Sequence, residues 1–287
     1  MHRHPHFDLW LHDDDELRPW LGDAVIAREP LHAWPLSCVQ RLHLAGGGTC
    51  IYKVQAPPTV EPEFYAQASG AMLVHAQAIP QPGRPAALLL EEIAAPRLCD
   101  LKPTPVQVNA MGWEVVAQVA ALGGELPAVA ELCTPAQWAD YAGALVERLA
   151  ALVTSGTFTA VDEHLVGRIA TLAARPTVQD TFSTPIGYVH GDMTASNLFV
   201  GDDGYRLVDW QRPLRGPVAL DVVALLDSAG LEPGDFIAPG IVQLFYLLRI
   251  GWFAACAHRW FLPGAPTYDA AIVRLVERID ALGEREW

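Results

Sequence analysis

The sequence predicts an α+β chain of two lobes, a small β-rich N-terminal lobe followed by a larger, mainly helical one. Three observations carry that expectation. A length of 287 residues exceeds what one core usually holds. Short apolar or alternating runs separated by Pro and Gly occupy the chain up to Ile93. Long stretches of helical periodicity fill most of the remainder. With 51% hydrophobic and 18% charged residues, the composition is that of an ordered globular chain.

Taken in order, "DAVIARE", "SCVQRLHLA" and "TCIYKVQ" read as strands, the last two joined by the glycine-rich tip "AGGGT" at Ala45–Thr49. A helix start is expected at "VEPEFY", where acidic residues and Pro62 stand in a first turn. "HAQAIPQ" and "PAALLLEEI" read as two further strands, the second nearly all apolar and hence internal. The pattern changes after "APRLCDLKPTP", which puts the boundary near residues 94–104 and divides the chain into lobes of 1–95 and 96–287.

In the second lobe, helices are expected over Pro105–Leu122, over Thr134–Val153 with Thr134 as N-cap and Pro135 at the first position, and over Ala160–Ala174. "PIGYVHGD", "NLFV" and "YRLVDW" then return to strand character, the last two joined by the turn "GDDG". Helices resume at "ALDVVALLDSAG". The run "IVQLFYLLRIGWFAACAHRWFL" is long enough to span a bilayer, but Gln243, Arg249, His258 and Arg259 are costly in lipid, so it reads as a buried core helix.

Charge and cysteine usage exclude several function classes. A net charge of −14 repels phosphate backbones, which argues against a nucleic-acid partner and favours a cationic small substrate. The five cysteines are scattered, odd in number and never spaced CxxC, which suggests neither a disulfide framework nor a zinc site but buried thiols in a reducing compartment. The opening "MHRHPHFDLW" lacks the apolar run of a signal peptide, so a cytoplasmic protein with no membrane partner is expected. "DDDE" at Asp13–Glu16 reads as a solvated charge run or a helix start.

The chemistry concentrates in "YVHGDMTASN", followed by "RLVDWQ". A hairpin between them returns Asp209 toward the loop that carries Asp192 and Asn197. An amide oxygen and a carboxylate are hard ligands suited to magnesium, whose shell is completed by water and substrate phosphates. Asp192, left off the metal, accepts the proton of an attacking hydroxyl. This is the division of labour of kinase phosphoryl transfer, with ATP as donor. Histidine as a residue type invites a general-base role for His190, but Asp192 is the better base.

"HGDMTASN" followed by "LVDWQ" resembles the aminoglycoside phosphotransferase and choline kinase family, small-molecule kinases with a protein-kinase-like fold. The likeness runs from about residue 38 to 228. It implies ATP, Mg2+ and a hydroxylated small substrate such as an aminoglycoside-like compound, a sugar or an amino alcohol. It makes residues 1–95 the nucleotide-binding lobe and 96–287 the catalytic and substrate lobe. It further implies a phosphate-binding lysine in the first lobe; only Lys53 and Lys102 are lysine among nineteen basic residues, and Lys53 lies in the strand after the glycine run.

The lysine's partner is implied to be a glutamate on the next helix. The family's spacing to "FY" favours Glu61, whereas a helix starting at Pro62 would hold Glu63 more firmly, and both stay open. "LLLEEI" resembles the family's inter-lobe hinge, whose backbone from Glu91 to Ile93 would meet the adenine, and "GPVALDVVALL" resembles the family's segment after the second aspartate, which implies a structural or loop-anchoring role for Asp221. The chain departs from the protein-kinase pattern at Gly191 and at Asp209-Trp210-Gln211, and "TAS" stands where the family commonly has "HPG". A catalytically silent nucleotide-binding pseudokinase is the alternative; the presence of every catalytic residue type weighs against it.

Overall fold

The computed structural model describes residues 1–283. In chain order they form β1 (His2–Arg3), β2 (Trp10–Leu11), α1 (Asp14–Leu21), β3 (Val25–Trp34), β4 (Ser37–Leu44), β5 (Thr49–Gln55), α2 (Glu61–Gln67), β6 (Ala76–Ile79) and β7 (Ala87–Leu90). There follow α3 (Pro105–Ala120), α4 (Pro135–Thr154), α5 (Glu163–Ala173), α6 (Pro176–Gln179) and β8 (Ile186–Val189). The chain continues through β9 (Leu198–Gly201), β10 (Gly204–Leu207), β11 (Leu214–Pro217), α7 (Ala219–Ser228), α8 (Pro239–Ala255) and α9 (Ala265–Gly283). These elements group into two units, and neither is a continuous stretch. One comprises Met1–Lys102, Ala121–Val129 and Ser196–Pro213, and the other, among the described residues, Pro103–Ala120, Ala130–Ala195 and 214–283.

The first unit is built on a five-stranded antiparallel sheet in the order β3-β4-β5-β7-β6. Alternation along β5 sorts its side chains: Tyr52 and Val54 enter a core with Leu42, Ile79, Ala87 and Leu89, while Ile51 packs against Leu88 and Leu90 on the opposite face. Lys53 shares the Ile51 face. The run "DDDE" is a helix start: Asp13 caps α1, and its own amide donates to Glu16 Oε2 at 2.8 Å, completing a capping box. The strands β1 and β2 carry no pattern that the sequence reveals, being two residues each.

In this same unit β9 and β10 form the expected hairpin, Leu198 opposite Leu207, with Asp202 and Asp203 at its tip. Gly204, at φ 114°, supplies the backbone conformation that closes the turn. The helix α2 ends at Gln67, after which Ser69 pairs with Gly123 through two backbone hydrogen bonds of 2.9 and 2.8 Å.

The second unit is mainly helical. Thr134 caps α4 by accepting from the Gln137 amide, with Pro135 at the first helical position, as its sequence requires. Trp138, fully buried, donates its indole N–H to Ala173 O at 2.9 Å and ties α4 to α5. The helix α5 begins at Glu163 rather than the expected Ala160. The amides of Thr159, Ala160 and Val161 instead donate to the buried Asp269 carboxylate, and Asp162 caps the helix by accepting from Leu165.

Gly112 of α3 lets that helix approach α7 closely, since a Cβ there would lie 3.1 Å from Val222 Cγ1. The apolar run from Pro239 to Trp260 is long and apolar enough to cross a membrane, and 72% of its most apolar stretch is buried within the unit. A helix apolar on every side belongs inside a core. The short strand β11, "LRGP", pairs antiparallel with β8, a pairing its Gly-Pro ending conceals in the sequence.

Candidate active site

The first unit gathers two acidic side chains about Lys53. Its Nζ lies 2.5 Å from Glu61 Oε2 and 2.6 Å from Asp209 Oδ1. Lys53 and Glu61 are buried, whereas the Asp209 side chain is 33% exposed and so is the member of the group open to solvent. Burial opposes the charge on Lys53, but Asp209 and Glu61 outweigh it and hold the ammonium above the ordinary lysine pKa. Burial and the second acid push Glu61 upward, against the pull of Lys53 and of the Trp210 N–H.

Local hydrogen bonds set each member in place. The Thr59 hydroxyl donates to Gln55 Oε1 at 2.6 Å and accepts from the Glu61 amide at 3.2 Å, which links the end of β5 to the start of α2. The amide of Trp210 donates to Glu61 Oε1 at 3.1 Å, and the Val60 amide donates to Gln211 O at 3.1 Å. The Trp210 ring stacks on Phe64, 4.2 Å between centroids and 12° from parallel. Glu61 and Phe64 are three residues apart on one helical face, so α2 meets Trp210 through both.

Glu61, not Glu63, is therefore the partner of Lys53. Two residues on a helix point about 200° apart, so only one of the pair faces the lysine, and Glu63 is solvent-exposed. Asp209 itself sits at φ 73°, a left-handed conformation that aspartate tolerates better than most residues. Asn197 is carried beside it by the hairpin, its carbonyl accepting from the Val208 amide at 3.1 Å.

The residues fit a magnesium ion by donor chemistry and by charge. Two acids stand about one ammonium, and the partly exposed Asp209 brings its carboxylate to the hairpin end that carries Asn197. A carboxylate and an amide oxygen with the remaining positions left to water and phosphate is the donor set magnesium favours.

Within the expected hinge, the Glu91 amide donates to His75 O at 2.9 Å and its carboxylate accepts from the His75 amide at 3.4 Å. Ile93 packs against Val74, Leu88 and Leu90. For the Ile93 amide there is no backbone partner among the described residues.

Asp192 belongs to the second unit, on a loop held from below by α7. The buried Asp221 carboxylate accepts from the His190 amide at 2.7 Å and the Gly191 amide at 3.0 Å. Burial pushes its pKa up to about 7, against the two N–H donors. His190, fully buried, accepts from the Asp192 amide at Nδ1, 3.2 Å away, which assigns its ring proton to Nε2 and gives it a loop-shaping part. Gly191, at φ 81°, makes the turn that an arginine at this position would strain.

Sequence reasoning missed Trp210 as a brace for Glu61; the only signal was an aromatic residue directly after Asp209. It also missed Tyr65, whose buried hydroxyl has no hydrogen-bond partner among the described residues. Burial, with Glu61 and Asp209 nearby, holds that phenol well above its ordinary pKa.

A model of the phosphotransferase enzyme family matches residues 65–258, more than half of the chain. No protein of curated function matches the sequence. Among solved structures, a thermostable mutant of aminoglycoside phosphotransferase APH(4)-Ia, in a ternary complex with ADP and hygromycin B, aligns at TM-score 0.62 and 13% identity over 95% of this chain and 99% of its own. A choline/ethanolamine kinase family protein from Mesorhizobium loti aligns at TM-score 0.60 and 13% identity over 95% and 94%. The macrolide 2'-phosphotransferase MphH from Brachybacterium faecium gives 0.55 and 16% over 95% and 97%. The shared feature is the α+β fold, here 46% helix and 20% strand.

Proposed function

The chain belongs to the phosphotransferase enzyme family, and from that membership we propose that it transfers the γ-phosphate of ATP to a hydroxyl of a small molecule. It is a small-molecule kinase by family. The observation that carries the finer reading is Lys53 held by Glu61 and Asp209 within one unit.

In this reading residues 1–95 serve the nucleotide, and 96–287 serve catalysis and the acceptor. Lys53, oriented by Glu61, binds the α and β phosphates as a compact point charge. Asn197 and Asp209 would hold a magnesium ion, which would supply positive charge to offset that of the phosphates. The backbone around Glu91 and Ile93 contacts the base; the Ile93 amide suits an acceptor nitrogen. Asp192 orients the acceptor hydroxyl and takes its proton as the new O–P bond forms and the bond from the γ-phosphorus to the bridging oxygen breaks, with ADP as the leaving group.

The acceptor proposed is an aminoglycoside-like compound, a sugar or an amino alcohol. An acidic chain of net charge −14 favours a cationic member of that set. The names of the similar structures, which include hygromycin B and choline/ethanolamine, support the same range.

The test is an ATP-consumption screen against aminoglycosides, macrolides, amino alcohols and sugars with Asp192→Ala as the blank. Turnover with one acceptor class, absent from the variant, supports the reading. A melting shift with Mg-ATP but no consumption with any acceptor would favour the pseudokinase instead.

A further inference from the structure

Five of the six successive backbone amides from His190 to Ala195 have defined acceptors. Those of His190 and Gly191 go to Asp221, that of Asp192 to the His190 ring, and that of Thr194 to Asp192 O at 2.8 Å. The last, from Ala195, goes to Ser228 Oγ at 2.9 Å. Ser228 donates its own hydroxyl proton to Leu225 O at 2.9 Å, so a lone pair is left facing Ala195.

Asp221 and Ser228 lie seven residues apart on α7, close to two turns and about 10 Å along one face. One helical face therefore grips the Asp192 loop at both ends. The grip at the outgoing end needs an N–H at residue 195. Proline, which the common "HPG" triplet puts there, has none, so this bond is open to the chain only because Ala195 stands in its place.

We propose that Ser228 is a positioning residue for Asp192, fixing by one hydrogen bond the loop end that a proline would otherwise stiffen. The proposal rests on the reading of Asp192 as the residue facing the acceptor hydroxyl. Ser228 is solvent-exposed, so removing its oxygen opens no buried void and leaves the helix intact.

The experiment compares Ser228→Ala, Ser228→Thr, Ala195→Pro and the Ser228→Ala/Ala195→Pro double variant in the full chain. Ser228→Ala should lower kcat about fivefold, the effect of one neutral hydrogen bond, with KM for the nucleotide unchanged. Ser228→Thr, which keeps the acceptor oxygen, should restore kcat. In the Ala195→Pro chain, with no N–H to donate, Ser228→Ala should change nothing further.

Hydrogen exchange at the Ala195 amide gives a readout independent of turnover, and it should accelerate in Ser228→Ala and not in Ser228→Thr. Should Ala195→Pro fail to fold, the threonine rescue and the exchange rate still decide. An unchanged kcat in Ser228→Ala, or an equal loss with and without the proline, overturns the proposal. Full turnover in Asp192→Ala, with the exchange response intact, would instead overturn the catalytic reading on which it stands.

Discussion

Lys53 and Asp209 are 156 residues apart in the sequence and joined by a 2.6 Å hydrogen bond in the fold. The same ammonium meets Glu61, so one cation holds two acids that come from different elements. That arrangement makes the group a structural joint, and in the proposed function a nucleotide-binding device as well.

Removing the cation should therefore cost stability as well as function. Lys53→Met strands Glu61 in the core without its counter-charge and should destabilise the chain by about 3 kcal/mol, with loss of nucleotide binding. Adding Glu61→Gln should recover much of the stability and none of the binding. Urea unfolding of the two variants checks this; equal stability of the single and double variants would contradict it.

The two glutamates of α2 should separate cleanly. Glu61→Gln removes the partner of Lys53 and should lower kcat/KM by about tenfold or more, a loss of at least ~1.4 kcal/mol of transition-state stabilisation. Glu63→Gln, on the exposed side, should stay within about twofold of the parent. Steady-state kinetics with varied nucleotide distinguishes them, and a larger loss at Glu63 would reverse the assignment.

The choice between these two residues shows where sequence reading stopped. Thr49–Gln55 was legible residue for residue because glycines before it and prolines after it mark its ends, and α4 because Thr134 and Pro135 state its start. The start of α2 is not fixed by Pro62 alone; the hydrogen bonds that Glu61 donates to Thr59 and accepts from Trp210 set it, and both partners lie outside the helix. Ser228 was invisible for the same reason, since its partner lies 33 residues away on a loop. The pairing of β11 with β8 was hidden by its Gly and Pro.

Asp209 offers a backbone test. At φ 73°, Asp209→Gly and Asp209→Asn should both fold at least as well as Asp209→Ala, the alanine costing about 1 kcal/mol of strain relative to glycine. Asp209→Asn should also shift the magnesium requirement to higher concentration, because a neutral amide is a weaker ligand than a carboxylate. Thermal melts give the first result and magnesium titration of turnover the second; an unchanged magnesium requirement would remove Asp209 from the metal.

Asp221 should make stability fall with rising pH. Burial raises its folded pKa to about 7 from 3.8, so between those values the folded chain keeps a proton that the unfolded chain has released. The stability this group contributes is full below about pH 4 and is lost as pH climbs through about 7. The difference in melting temperature between the parent and Asp221→Asn should therefore shrink from pH 4 to pH 8. A constant difference would show that Asp221 stays ionised in the fold.

The most direct measurement is transfer of isotopically labelled γ-phosphate from ATP to an acceptor, run beside nucleotide-binding titrations for the parent and for Asp192→Ala. The account predicts labelled phosphoester with the parent and at least a thousandfold less with Asp192→Ala, roughly 4 kcal/mol of barrier, while both bind Mg-ATP equally. Undiminished transfer by Asp192→Ala would contradict it.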